Sequence, residues 1–303
     1  MTIKVALIGF GVMGKNHYRV LNSLPDVKVV AVVDPLLKDK MPVPVFKDFK
    51  KLLSTTKLDA VIVAVPTKFH FEVAIECIKK GIPTLIEKPV AATLEQAASI
   101  LKAAQKKKVI TAVGHTERFN PVVQALKQEL KRRNIFSLAI TRVGPIPPRI
   151  ADVGILTDLS VHDIDLIREV TGREIQNSNI YSSRKVHGHH EDNAVLSFRL
   201  EDEIVASVTT NWLTPFKKRM IEVATREAYY EADLLKQELT EYSAFIHDNN
   251  SYVIRKCDVT RGEPLVNELK AFMHYVRTGE NHGLATIEDS MKTLQLIKKR
   301  TTG

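Results

Sequence analysis

The chain has 303 residues, a formal net charge of +9 and globular proportions, 44% hydrophobic and 26% charged. That length suits two modest domains, and the composition excludes a disordered or fibrous chain. The positive balance permits nucleic acid, acidic membranes or anionic small molecules as partners. Its basic runs, at residues 106–108, 131–133 and 298–300, are short and end helices. No nucleic-acid signature interleaves aromatic with basic residues, so no nucleic-acid partner is expected. Two distant cysteines, Cys77 and Cys257, form no ligand pattern and fit a reducing compartment. No stretch is long and apolar enough for a membrane span, and the N-terminus opens directly into a strand without a cleavage site. A cytoplasmic chain without a membrane partner is the expectation.

Taken in order, residues 4–9 are an apolar run that reads as a buried parallel strand. The pattern predicts a helix over 13–24, a strand over 27–33 closing on Asp34, and a short helix over 46–53. A strand over 60–65 stops at Pro66, a helix over 69–80 is capped by Gly81, and a strand over 84–87 follows. Thr93 opens a helix to 106 with a capping-box pattern, and 109–113 is a fifth strand. Strands alternating with helices make a doubly wound parallel sheet. The pattern then changes, with a seam near His115–Pro121. Beyond it come a helix over 121–133, a strand over 135–143, a proline-rich loop, and a helix over 159–170. Mostly strands follow over 175–255, including 194–200, 204–212 and 220–224, then helices over 264–278 and 287–299. The fold class is therefore α/β, with an α+β second half.

Three motifs carry chemistry. Gly9, Gly11 and Gly14 form G-x-G-x-x-G between a strand and a helix. The first permits the turn, the second lets a pyrophosphate approach the backbone, and the third lets helix and strand pack closely. The helix N-terminus supplies N–H groups and a positive dipole to phosphate. Asp34, twenty residues after Gly14 at a strand end, suits ribose hydroxyls and repels a 2′-phosphate. This combination predicts NAD as cofactor, rather than its phosphorylated form. The second motif is Glu87-Lys88-Pro89 at the end of the fourth strand, where a lysine can stabilise a developing alkoxide. In the third, Asp158, His162 and Asp165 share a helix face, and a histidine beside carboxylates suits a general base. Read singly, the second and third motifs equally fit a surface lysine before a turn and a helix cap with a structural histidine.

Together and in this order, the motifs resemble the Gfo/Idh/MocA oxidoreductase family across essentially the whole chain. The resemblance implies a Rossmann domain over 1–118, then a catalytic, substrate and oligomerisation domain over 119–303 built on a large, mostly antiparallel open sheet. It implies Lys88, Asp158 and His162 as catalytic residues, and leaves open whether Lys88 or His162 is the base. It implies cofactor contacts from Gly9, Gly11, Val12, Met13, Gly14, Asp34, Pro66, Thr67, His70, Glu87 and Lys88, and a cis Lys88–Pro89 bond. Residues 114–121 and 142–149 resemble the branch acting on nucleotide-activated amino sugars. That implies a UDP-linked N-acetylglucosamine oxidised at C3, with Arg118, Asn120, Arg149, Asp158 and His162 as substrate contacts. Other substrates of the same family, such as an inositol or a free sugar, and a non-catalytic NAD- or sugar-nucleotide-binding sensor are the competing readings. A homo-oligomer, dimer or tetramer, is expected through the large sheet. The ligand-rich segment His187–Asp192 reads as a flexible polar loop, and no metal is expected in the chemistry. Cys77 and Trp212 read as core or interface.

Overall fold

The computed structural model describes residues 2–146, 154–186 and 188–298. The strands and helices of the N-terminal part follow the expected order, with one added short strand, Val45–Phe46, where the sequence predicts the end of a loop and the start of a helix. These are β1 (Ile3–Ile8), α1 (Val12–Leu21), β2 (Val27–Val33), β3 (Val45–Phe46), α2 (Phe49–Thr55), β4 (Ala60–Val63), α3 (His70–Lys79), β5 (Thr84–Glu87), α4 (Leu94–Lys107) and β6 (Thr111–Gly114). All strand pairs are parallel, in the order β3-β2-β1-β4-β5-β6. The order reverses at β1, which places a crevice at the carboxyl ends of β1 and β4. The inner strands read as apolar runs because helices bury both their faces. Thr93 caps α4 as its sequence indicates, its hydroxyl accepting the Gln96 N–H at 3.2 Å.

The C-terminal part contains α5 (Pro121–Leu130), β7 (Ile135–Pro145), α6 (Val161–Thr171), β8 (Ile175–Ser183), β9 (Asn193–Leu200), β10 (Val205–Asn211), β11 (Leu213–Thr225), β12 (Ala228–Asp233), β13 (Glu238–Ser243) and β14 (Ile254–Cys257), then α7 (Pro264–Thr278) and α8 (Ile287–Lys298). Eight strands form one sheet in the order β14-β13-β12-β11-β7-β10-β9-β8, antiparallel except where β7 meets β10. Alternation along β9 and β10 sends Ala194, Leu196, Phe198, Ala206 and Val208 into the core beneath α5 and α6. The other face exposes Phe136, Tyr181, Val195, Val205 and Tyr229.

The chain divides into two compact units: Met1–Thr116 with Leu265–Leu294, and Glu117–Pro264 with Gln295–Gly303. The seam falls two residues from the expected boundary. The expected second domain, 119–303, loses α7 and most of α8 to the first unit. The reason is packing. Ala285, Ile287 and Leu294 join the Rossmann core, and the Ala285 carbonyl accepts the Val113 N–H at the end of the sheet. Periodicity shows that these helices are amphipathic but not which core they cover. Two further sequence readings change. The expected helix at 159–170 begins with a π-helical turn over Leu156–Ser160. The supposedly flexible loop before β9 is tied down: the buried Asp192 carboxylate accepts the N–H groups of Lys185 and Val186, and Glu191 is buried. His187 lies outside the described residues.

In the turn from β1 into α1, backbone packs closely against backbone. Gly9 has φ +99°, and a Cβ there would stand 2.3 Å from the Ala64 carbonyl oxygen. A Cβ on Gly14 would stand 2.2 Å from the Gly9 carbonyl oxygen. Neither neighbour is a side chain that can swing away. Gly14→Ala is therefore expected to destabilise the protein by about 1–3 kcal/mol, the usual cost of overpacking. Chemical denaturation measures it, and an unchanged midpoint would contradict this geometry.

Candidate functional site

The first cluster of candidate residues lies at the carboxyl ends of the parallel strands. Gly11 is exposed, and nothing lies within 4 Å of where its Cβ would be. It is the N-cap of α1 without a side-chain cap, and no acidic residue occupies the first turn. Backbone N–H groups and the helix dipole there can receive an anion. Val12 is exposed and Met13 half-buried on the same turn. Asp34 ends β2. Its Oδ2 accepts the Phe10 N–H at 2.8 Å, and its Oδ1 accepts those of Leu36 and Leu37 at 2.8 and 3.1 Å. The carboxylate thus fixes the glycine turn and its own loop, and remains half-exposed. An open backbone cradle beside a strand-end carboxylate fits a dinucleotide.

His70 departs from the expected cofactor contact. It is buried, with Nδ1 and Nε2 each 2.8 Å from a carbonyl oxygen, those of Pro89 and Val65. Burial lowers its pKa below the ordinary histidine value, despite the two carbonyls. Its work is to clamp the segment leading to Pro66 and Thr67 to the one following Lys88. The Lys88–Pro89 bond is cis, as expected.

Glu87 is also inward. Its Oε1 lies 2.7 Å from His17 Nε2, both side chains buried, and its Oε2 accepts the Lys88 N–H at 3.2 Å. Burial opposes its charge, but the His17 hydrogen bond and the charges of His17 and Lys88 hold its carboxyl below the usual range. Lys88 itself is half-buried. Gly114 leaves room for the carboxylate, since a Cβ there would come within 3.2 Å of it. A second carboxyl, Glu268 of α7, is fully buried, with Oε2 accepting from the Thr116 hydroxyl at 3.0 Å and Oε1 without a hydrogen-bond partner. Burial, reinforced by the charge of Glu87, pushes its pKa well above the usual range. Neither His17 nor Glu268 was legible as part of this cluster. The only signal was a polar residue on an inward helix face.

The second cluster belongs to the other unit. Asp158 lies in the π-helical turn and His162 in the first turn of α6, both half-buried, with Ser160, Val161 and Asp163 buried around them. Asp163 Oδ1 receives Arg142 Nε at 2.6 Å, and Arg142 Nη1 reaches Glu117 Oε1 at 2.9 Å, which Arg219 also contacts at 3.0 Å. Asp165, expected beside His162, is gripped by Arg118 through both oxygens, at 2.6 and 2.5 Å. Arg118 also contacts Glu169 at 3.3 Å. Arg118 and Asn120, expected at the substrate, are thus turned into the protein. Asn120 is buried, capping α5 through the Val122 N–H and donating to the Leu234 carbonyl. Arg149 lies outside the described residues.

Residues 3–115 match the model of an oxidoreductase family with an NAD-binding Rossmann fold, and residues 146–231 match the GFO/IDH/MocA C-terminal domain. Inositol 2-dehydrogenase 2 of Saccharopolyspora erythraea is 30% identical over 198 residues, 61% of this chain and 58% of that protein. The match therefore spans less than two thirds of that relative. UDP-N-acetylglucosamine 3-dehydrogenase of Acidithiobacillus ferrooxidans is 27% identical over 248 residues, 79% of this chain and 77% of its own length. A solved structure of UDP-N-acetylglucosamine 3-dehydrogenase from the same organism superposes with a TM-score of 0.90 at 22% identity. It covers 99% of this chain and 96% of that one, a likeness of fold. Among the described residues no helix is long and apolar enough to cross a membrane.

The buried carboxyls give a pH signature. Glu268 binds its proton more tightly folded than unfolded, so the folded state loses stability as pH rises from the unfolded carboxyl value toward the raised folded one. Below that window the stability is fully present. Glu268→Gln removes the dependence, and its stability relative to wild type should grow across the window by about 1.4 kcal/mol per pH unit. Denaturant unfolding at a series of pH values reads this directly, and a difference that stays flat with pH would show Glu268 ionised in the fold.

Proposed function

Because the chain belongs to the Gfo/Idh/MocA oxidoreductase family, we propose that it oxidises a secondary alcohol of a nucleotide sugar, UDP-N-acetylglucosamine at C3, using NAD. The observation that carries the redox reading is the open backbone cradle at Gly11, with Asp34 beside the same turn. Gly9, Gly11, Val12, Met13 and Gly14 would hold the pyrophosphate, Asp34 the adenosine ribose, and Pro66 and Thr67 the nicotinamide end. Bound NAD supplies the hydride acceptor.

The protein's own work is proton transfer and charge placement. Lys88, at the end of β5, offers an ammonium to the substrate hydroxyl and stabilises negative charge as it develops there. His162 takes the hydroxyl proton, the general-base role that imidazoles most often fill. Asp158 orients the hydroxyl or the imidazole. Glu87, paired with His17, holds the strand end from which Lys88 projects. The ions Arg142–Asp163 and Arg118–Asp165 do the same for the helix carrying His162. Lys88→Met and His162→Ala should each lower kcat by about 10² to 10⁴ with NAD affinity unchanged. Near-normal turnover in either variant would remove that residue from the chemistry.

The choice of sugar nucleotide rests on the resemblance of residues 114–121 and 142–149 and on the relative from Acidithiobacillus ferrooxidans. An inositol is the second reading, favoured by the relative from Saccharopolyspora erythraea. Initial rates of NADH formation with UDP-N-acetylglucosamine, free N-acetylglucosamine and myo-inositol separate the two. The nucleotide sugar should have the highest kcat/KM. Equal or better turnover of the free sugar or the inositol would overturn the assignment.

The outward face of the eight-stranded sheet supports a homo-oligomer. Tyr181 and Val195 are cross-strand neighbours there, and so are Tyr229 and Tyr242. Tyr181 is 68% exposed and Val205 55%. A second copy of the same face would cover this surface through a self-complementary two-fold contact. Sedimentation at micromolar concentration should give a dimer or tetramer, and a monomer alone would contradict it.

A further inference from the structure

Three side chains with metal-ligand chemistry meet where the proposed reaction does not need them: His274, Glu280 and His282. His274 lies in the last turns of α7, which ends at Thr278. Gly279 and Gly283, at φ +77° and +85°, bend the chain back on either side of the remaining two residues. The His282 ring then packs against that of His274, with centroids 4.3 Å apart. Glu280 Oε2 lies 4.0 Å from His274 Nε2 and 3.5 Å from His282 Nε2. One ligand atom from each residue stands within 4.8 Å of the other two.

Other groups hold this turn, which leaves the three ligand atoms available. The Thr278 hydroxyl donates to the His274 carbonyl and accepts the Glu280 N–H. Asn281 Nδ2 donates to the Leu284 carbonyl at 3.0 Å, and its Oδ1 accepts the Leu284 N–H at 2.8 Å. His274 Nε2 is shielded from solvent and has no hydrogen-bond partner.

We propose that His274, Glu280 and His282 bind one divalent transition-metal ion, zinc by preference. Two imidazoles and a carboxylate are the donors zinc takes, with bonds of roughly 2.0–2.2 Å. Tetrahedral donors at those bond lengths stand roughly 3.3–3.5 Å apart. The separations of 3.5 and 4.0 Å from Glu280, with the ligand atoms of all three residues within 4.8 Å of one another, therefore need only side-chain movements to close on an ion. The site also lies at a helix C-terminus, where unsatisfied carbonyls favour a cation. The His282 and Glu280 side chains are 57% and 71% exposed, so water can complete the coordination. A second cluster, Glu129, Glu241 and Cys257, has no such opening, because Arg255 already bridges both carboxylates.

The turn runs on to Ala285, whose carbonyl accepts the Val113 N–H of β6 at 2.9 Å. An ion at the turn would tie the end of α7 to the segment that extends this sheet edge. Its role is structural, apart from the residues proposed for catalysis.

The test is calorimetric titration of zinc chloride into the tag-free, EDTA-treated 303-residue chain near neutral pH, with magnesium chloride as the comparison. One zinc ion per chain should bind and raise Tm, while magnesium, which prefers all-oxygen sites, gives no heat. His282→Ala and Glu280→Gln should each weaken zinc binding by about tenfold or more. Failure of the wild type to bind zinc would overturn the site. Unchanged binding in a His274→Ala/His282→Ala double variant would overturn it equally. NAD titration of the same samples reports the fold and the dinucleotide cradle independently. Zinc binding thus stands or falls apart from the proposed activity.

Discussion

The interaction on which the first unit depends is the contact of backbone with backbone where β1 turns into α1. Gly14 lies against the Gly9 carbonyl, and Gly9 against that of Ala64, with no room for a methyl group at either position. This fixes the direction of α1 and leaves its first N–H groups facing the open space at Gly11. The same helix, three residues past Gly14, brings His17 to Glu87. One helix therefore leaves an open backbone turn at its end, where a dinucleotide is proposed to bind, and from its inward face anchors the strand end that carries Lys88. His70 adds a second clamp by holding Val65 and Pro89 together.

Each unit holds its candidate reactive residue beside buried charge. In the first, Glu87 keeps its charge through His17, while the nearby Glu268 is driven toward its neutral form. Two carboxyls pushed apart in this way leave one negative charge in this buried cluster rather than two. In the second, burial raises Asp163 against the opposing pull of Arg142, and Arg142 in turn holds Glu117. Buried ion pairs of this kind add little net stability, because desolvation offsets attraction. Removing one partner leaves the other charge uncompensated, so they fix geometry strictly. Asp163 and Glu87 are the immediate chain neighbours of His162 and Lys88, and the strictness falls where chemistry would need it.

The elements that depend on local signals were legible in the sequence. The Rossmann strands are apolar runs, the Thr93 cap and the glycine turn have fixed spacing, and Asp34 falls at a strand end. What was not legible depends on tertiary choice. Amphipathic α7 and α8 could have covered either core, and they cover the first. Arg118, Asn120 and His70 are residue types that contact ligands elsewhere, yet here they face Asp165, the Leu234 carbonyl and two loop carbonyls. Asp165, the Leu234 carbonyl and the Pro89 carbonyl lie 47, 114 and 19 residues from their partners, beyond any periodicity argument. The π-helical turn before α6 has no sequence signature either, and it changes the spacing on which a shared face for Asp158 and His162 was read.

The proposed reaction is direct hydride transfer from a sugar carbon to NAD held at the Gly11 turn. It is tested most directly by incubating the protein with NAD and UDP-N-acetylglucosamine carrying deuterium at C3, then locating the label. Deuterium is expected at C4 of the reduced nicotinamide, matched by loss of label from the sugar. Reduced cofactor without deuterium, or full retention of the label at C3, would contradict it.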